Sequence, residues 1–211
     1  MAPVMSVLYF HGFASSPASA KIAALRPRLE PHGIAIDAPD LNVPSFERLD
    51  FGAMVATGLR HAAATPPRAL VGSSLGAQVA LAVSRRGVGV PLVLIAPAIG
   101  QHARWRKQMP ADDPVHVFNY ARNANAPIHR AFFEQLVALD VDAEPPRARV
   151  TAIMGRDDET VSFAQVESLW RAWEASGRLA PGSRFVEIAH GDHGLVAHTD
   201  VIEEAIVEAV R

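Results

Sequence analysis

Six short apolar runs, near residues 4–10, 34–38, 68–71, 91–96, 149–154 and 184–189, alternate with stretches in which apolar residues recur every three or four positions, near 18–30, 46–63, 75–86, 162–176 and 200–211. The alternation predicts an α/β fold. Its core is a mostly parallel sheet of about six strands, with helices on both faces and right-handed crossovers between neighbouring strands. Ligand sites in such sheets lie beyond the strand C-termini, so the residues that follow each apolar run carry the functional information. Phe163, Val166, Trp170 and Trp173 step by three and four along one helical stretch and read as a core stripe. The last helix is expected to start at Asp200 as its N-cap, with Glu203 completing the cap.

The chain's 211 residues suffice for one domain, 1–211, with a well-buried core. About fifty residues separate the fourth and fifth runs, far more than an ordinary connection in this architecture. Segment 98–147, rich in proline and with its clearest helix at 129–140, is therefore expected to be a cap inserted over the C-terminal edge of the sheet. Its Trp105, Phe118, Tyr120, Phe132 and Phe133 would either shape an acyl or alcohol pocket or serve as packing.

The third run, Ala69-Leu70-Val71, stops at Gly72-Ser73-Ser74-Leu75-Gly76, and helical spacing resumes through Leu75, Val79, Ala80 and Val83. This pentapeptide has the form GxSxG. Small neighbours suit a sharp strand-to-helix turn that lifts the hydroxyl of Ser74 into a site. A serine nucleophile needs a base, an acid that orients the base, and backbone donors for the oxyanion. After the first run, in Tyr9-Phe10-His11-Gly12-Phe13, Gly12 lets the backbone turn so that the N–H of Phe13, with that of Leu75, faces an oxyanion; His11 reads as a residue that fixes the loop. After the fifth run, Gly155-Arg156-Asp157-Asp158-Glu159-Thr160-Val161 places three acids in a turn. After the last, Ala189-His190-Gly191-Asp192-His193-Gly194 offers two histidines. Serine, acid and histidine thus follow three separate strands in the order of a hydrolase triad, with Asp157 or Asp158 and His190 or His193 as the alternatives.

With LYFHGFASSPASAK and VGSSLGAQVA, the chain resembles the α/β-hydrolase superfamily over nearly its whole length, closest to small bacterial single-domain esterases with HGF and GSSLG motifs. The resemblance implies an acid in a GxxDxxV turn, which matches Gly155 to Val161 and selects Asp158. It implies a histidine in a Gly-x-His loop, matched by Gly191-Asp192-His193, which selects His193. A serine esterase is the function it implies, cleaving a carboxylic ester or thioester of a small molecule with Ser74, Asp158 and His193, without metal or organic cofactor.

Two other classes compete. His190-Gly191-Asp192-His193 is similar to the latter part of an HxHxDH metal motif, so His190, Asp192 and His193 could serve a metallohydrolase, although Ile188 stands where the first histidine belongs. The fold could also serve as a non-catalytic binding module. A net charge of −2 with scattered lysine and arginine argues against a nucleic-acid partner, and the cluster Arg104, Arg106 and Lys107 reads as solvated surface. No apolar run reaches membrane-spanning length without proline. The absence of cysteine removes disulfides, thiolate metal sites and a cysteine nucleophile, and fits a cytoplasmic enzyme. Residues 1–20 carry no Lys, Arg, Asp or Glu and end in Ala18-Ser19-Ala20, like a signal-cleavage site. Their apolar stretch is broken by His11-Gly12 and Pro17 and no basic residue precedes Lys21, so no secretory signal is expected.

Overall fold

In the computed structural model, which describes residues 5–211, the six expected strands form one parallel sheet. They are β1 (Met5–Phe10), β2 (Ile34–Asp37), β3 (Ala69–Ser73), β4 (Leu92–Ile95), β7 (Val150–Gly155) and β8 (Arg184–Ile188), in the order β2-β1-β3-β4-β7-β8. Position 4, included in the first expected run, lies outside the described residues. Every residue of β3, β4 and β7 is buried, which is why these strands read as unbroken apolar runs and not as alternating ones.

The chain leaves β1 for the β2 edge, returns to the other side of β1 as β3, and then proceeds to the opposite edge. Right-handed crossovers running in opposite directions put their helices on opposite faces. Accordingly α1 (Ala20–Leu29) packs with α7 (Thr199–Val210), while α2 (Phe51–Ala64) packs with α3 (Leu75–Arg85). Between β1 and β3 the direction reverses, so the loops leaving their C-termini diverge and open a crevice between them. The stripe on α6 (Phe163–Ala175) is core, with Val166, Trp170 and Trp173 buried.

Two helix starts differ from expectation. Segment 46–63 becomes helical only at Phe51, because the Asp50 carboxylate accepts a 2.6 Å bond from the N–H of Ala53 and caps the helix there; Phe46, ahead of it, packs into the core. Asp200 is not an N-cap: α7 begins at Thr199 after His198, with no side-chain cap. Glu203, expected to complete that cap, instead accepts from Arg28 Nε at 2.7 Å and pairs with His32 Nε2 at 3.0 Å, tying α7 to the end of α1.

Segment 98–147 contains α4 (His102–Lys107), an antiparallel hairpin of β5 (Val115–Asn119) and β6 (Ala124–Ile128), and α5 (Ala131–Ala138), which corresponds to the helix expected at 129–140. The hairpin is an addition to the sequence reading. Its strands pair only with each other, and β6 carries Pro127 opposite His116, a residue that sequence patterns place outside strands. Asp142, 2% exposed, ties the two roots of the segment together. Its Oδ2 accepts from Gly100 N at 2.7 Å and from Gln78 Nε2 on α3 at 3.1 Å, and its Oδ1 meets His102 Nε2 at 2.7 Å. Burial pushes the Asp142 carboxyl up, but the bonds from His102, Gly100 and Gln78 outweigh it and hold the group below its ordinary range; the same bond raises the imidazole of His102. No helix among the described residues is long and apolar enough to cross a membrane.

Candidate active site

The two glycines that flank Ser73-Ser74-Leu75 are there because no side chain fits. A Cβ on Gly72 would lie 2.5 Å from the Gly76 carbonyl oxygen and 2.6 Å from Ala77 Cα, and one on Gly76 would overlap the carbonyl of Phe10. This close approach brings the first turn of α3 down onto the ends of β1 and β3. Ser74, at the junction, is held at φ 53° and ψ −117°, a backbone state rare for any residue with a Cβ. Its N–H donates to Ile95 O at 2.9 Å and its carbonyl accepts from Ala77 and Ala98, so neighbouring segments fix the strained turn. Among the described residues the backbone N–H groups of Phe13 and Leu75 have no acceptor. Gly12 lies against Ser74, where an added Cβ would stand 3.3 Å from Ser74 Cβ.

Asp158 and His193 are brought together. His193 Nδ1 lies 2.8 Å from Asp158 Oδ2, and the Asp158 side chain is fully buried. Asp158 Oδ1 accepts from Thr160 N at 2.9 Å and Val161 N at 2.7 Å, so the turn itself orients the carboxylate. Because the carboxylate can only accept, Nδ1 carries the ring proton and Nε2 is left as the basic nitrogen. The acid turn and the histidine loop are joined through their backbones, Arg156 N donating to Ile188 O at 2.9 Å and Asp157 N to Gly191 O at 3.1 Å.

The competing side chains go elsewhere. Asp157 is 62% and His190 91% exposed, and the two meet at 3.4 Å on the surface. Asp192 Oδ1 accepts from Leu195 N at 2.7 Å. His190, Asp192 and His193 therefore do not converge on a point, and among the described residues no group of three histidine, aspartate or glutamate side chains has the arrangement of a metal site. His11 is buried, its Nδ1 donating to Gly12 O at 2.9 Å and its Nε2 accepting from Leu41 N at 3.0 Å, which leaves neither nitrogen for proton transfer and fits its reading as a loop-fixing residue.

Ser74 stands between two cavities of different character. On one side is a pocket of about 260 Å³ beneath segment 98–147, walled by Phe13, Leu75, Trp105, Phe133, Leu136 and Val161. On the other is an open cleft of about 770 Å³ that His193 borders, with Tyr9, Lys21 and Ser73 in its wall and Phe118 and Tyr120 of the hairpin beside it. Of the five aromatics singled out in the insertion, Trp105 and Phe133 face the pocket and Phe132 packs in the core. Phe118 and Tyr120 form an exposed edge-to-face pair.

The sequence reading did not find Lys21. It lies on the buried face of α1 with Ile22, Leu25 and Leu29, and its Nζ donates to Ser73 Oγ at 2.9 Å. Burial pulls its ammonium down to about 8, against the opposing influence of the Asp158 and Asp192 carboxylates. A lysine on an apolar helical face was the available signal.

A six-stranded parallel sheet with a serine on a strained turn after β3, an acid after β7 and a histidine after β8 is the α/β-hydrolase fold. By sequence the chain belongs to the uncharacterised protein family UPF0227, whose model matches residues 6–197. No curated protein matches it in sequence. Among solved structures it is similar to Est1E from Butyrivibrio proteoclasticus with ferulic acid bound, at a TM-score of 0.78 and 15% identity, covering 99% of this chain and 91% of that one. It is also similar to mouse alpha/beta hydrolase domain-containing protein 10, at 0.73 and 20% identity over 99% and 89%. The esterase domain of a Rhodothermus marinus protein matches at 0.70 and 20% identity over the same shares, 99% and 89%.

Proposed function

We propose that this chain is a serine hydrolase that cleaves a carboxylic ester or thioester of a small molecule through an acyl-enzyme on Ser74. The observation that carries the reading is the 2.8 Å bond from His193 Nδ1 to the buried carboxylate of Asp158, set at the cleft that Ser74 also lines. Ser74 Oγ attacks the carbonyl carbon as its proton passes to His193 Nε2. The bond to the leaving oxygen or sulfur then breaks, and that atom takes the proton from Nε2. Water next attacks the acyl group, gives its proton to Nε2, and frees the acid as Ser74 recovers the proton. Asp158 holds the tautomer and stabilises the imidazolium. The free N–H groups of Phe13 and Leu75 receive the oxyanion, assisted by the positive end of the α3 dipole. None of these steps calls for a metal or organic cofactor.

Segment 98–147 acts as the cap, its apolar pocket receiving the acyl chain and setting its length. Small-molecule ligands in similar folds, ferulic acid in Est1E and a substrate analogue in DcsB, support a substrate of that size. The test is hydrolysis of short-chain 4-nitrophenyl esters and thioesters by the purified protein, with Ser74→Ala as the blank and a fluorophosphonate to label the nucleophile. Activity that survives Ser74→Ala, or that is lost to a chelator and restored by zinc, would overturn the serine mechanism. Absence of activity and of labelling would favour the binding-module alternative.

A further inference from the structure

The cleft beside Ser74 has a floor that the acyl-transfer steps do not use. Lys21 is 9% exposed and Tyr9 1% exposed, yet both contribute to its wall. Of the three donors on the Lys21 ammonium, the protein occupies one, through Ser73 Oγ, and no ion pair to Lys21 forms among the described residues. The nearby carboxylates whose fields it feels are engaged elsewhere: Asp158 binds His193, Thr160 and Val161, and Asp192 binds Leu195. The Tyr9 hydroxyl is buried, with Ser73 as its polar neighbour and no hydrogen bond of good geometry among the described residues. Both residues border one cavity, where Lys21 keeps two of its three donors unspent and the Tyr9 hydroxyl lies beneath, beside Ser73. Leaving such donors unmatched is costly, and burying a cation with no directly bonded anion is more so. Serines 15, 16 and 19 add hydroxyls around the same space.

The two sides of Ser74 are also distinguishable. His193 borders the cleft and not the apolar pocket. Since the imidazolium must hand its proton to the departing atom, the leaving group lies on the His193 side and the acyl group on the other. We infer that the cleft is a leaving-group subsite for an anionic alcohol or thiol, one bearing a carboxylate or phosphate, which Lys21 binds as the ion partner. This rests on the hydrolase reading above and sharpens it to a substrate class: an apolar acyl chain joined to an anionic leaving group.

The experiment compares two butyrate esters that differ only in the leaving group, 4-nitrophenyl butyrate and 3-carboxy-4-nitrophenyl butyrate, each rate divided by that for hydroxide. The unmodified protein is expected to favour the carboxylated ester in kcat/KM by about tenfold or more, as a charge-assisted bond allows. In Lys21→Met that ratio is expected to fall towards one. 4-Nitrophenyl hemisuccinate, with its carboxylate on the acyl side, is expected to gain no such preference. Equal ratios in the two proteins, or a preference for the hemisuccinate, overturn the inference; a fall of both butyrates together marks Lys21 as a support for Ser73 and also overturns it. Calorimetry on Ser74→Ala, with and without Lys21→Met, decides the matter independently of turnover. 5-Hydroxy-2-nitrobenzoate should bind about tenfold more tightly than 4-nitrophenol, and only when Lys21 is present. If neither ester is cleaved, the hydrolase reading fails while this binding result still stands or falls alone. Binding of inorganic phosphate in place of the carboxylate separates the two anion sources.

Discussion

Gly155 and Gly191 face each other across the acid turn and the histidine loop so closely that a Cβ on Gly191 would lie 2.9 Å from Gly155 Cα, while one on Gly155 would overlap the Gly191 carbonyl. The backbone pair sets the distance between the two loops that carry Asp158 and His193. Gly155→Ala should therefore cost about 3 kcal/mol or more, a fall in melting temperature of roughly 6–12 °C for a chain of this size. Activity should fall further than the melting curve explains, since the His193–Asp158 bond depends on the same contact. Gly89→Ala, where nothing lies within 4 Å of an added Cβ, should change stability by no more than about 0.5 kcal/mol. Equal melting curves for the two variants would refute the close-contact argument.

Neutralising the acid separates the adjacent aspartates. Asp158→Asn is expected to keep the fold but hold the imidazole in the wrong tautomer, lowering turnover by up to about 10⁴-fold, the size of the loss when the equivalent carboxylate of a serine protease is neutralised. Asp157, at the surface against His190, should tolerate the same change with an effect of a few-fold at most. Steady-state kinetics on both variants, after their melting curves are compared, decides between them, and a crippled Asp157→Asn would shift the acid by one residue.

The assignment of the apolar pocket predicts a change in selectivity without a change in chemistry. Phe133→Ala opens the pocket wall beside Phe13 and should raise the octanoate-to-butyrate ratio of kcat/KM by roughly tenfold, the value of one or two methylenes in an apolar site. Labelling of Ser74 by a small phosphonate should persist. Loss of labelling in a folded variant would mean that the insertion shapes the triad itself.

The half-buried His102, paired with the buried Asp142, predicts a pH dependence of stability. Its imidazole titrates above the ordinary value of 6.5 in the folded state, so its contribution is complete below 6.5 and is lost as pH rises through the raised folded value. The carboxyl titrates below the ordinary 3.8, so its contribution is present above 3.8 and is lost as pH falls through the lowered folded value. The pair is thus strongest between about 4 and 6.5. Melting temperature measured from pH 4 to 9 should decline on the alkaline side more in the parent than in His102→Gln; parallel curves would remove the pair from the stability balance.

The central strands β3, β4 and β7 were legible because burial on both faces leaves an unbroken apolar run, as in Leu92-Val93-Leu94-Ile95. Ser74 was legible from steric demand, since two glycines four apart around a serine record how near Phe10, Gly76 and Ala77 must come. The start of α2 and the start of α7 were not, because capping depends on where a carboxylate finds a donor: Asp50 found Ala53, and Glu203 found Arg28 and His32 on another helix. The hairpin at 115–128 is only partly buried, and its inward positions include Asn119 and Ala126 next to Pro127, so its five-residue strands carry little apolar signal. Lys21 escaped for a different reason. Its partner, Ser73, is 52 positions away, and no local pattern reports a contact between α1 and the end of β3.

Asp142 makes segment 98–147 a closed loop, its two ends held within the reach of one carboxylate against the helix that follows Ser74. The chain between those ends can lengthen or shorten without moving the anchor, and doubling a flexible loop costs only about 0.6 kcal/mol in closure entropy. On the proposed reading of this segment as a cap, substrate choice can drift by insertions and deletions in its exposed stretch 111–114, while Ile128, Phe132 and Leu136 stay packed in the core. On that reading a variable rim is separate from a fixed root, and an exchange that respects the division keeps the anchor of Gly100, His102 and Asp142 together with the core contacts of Ile128, Phe132 and Leu136.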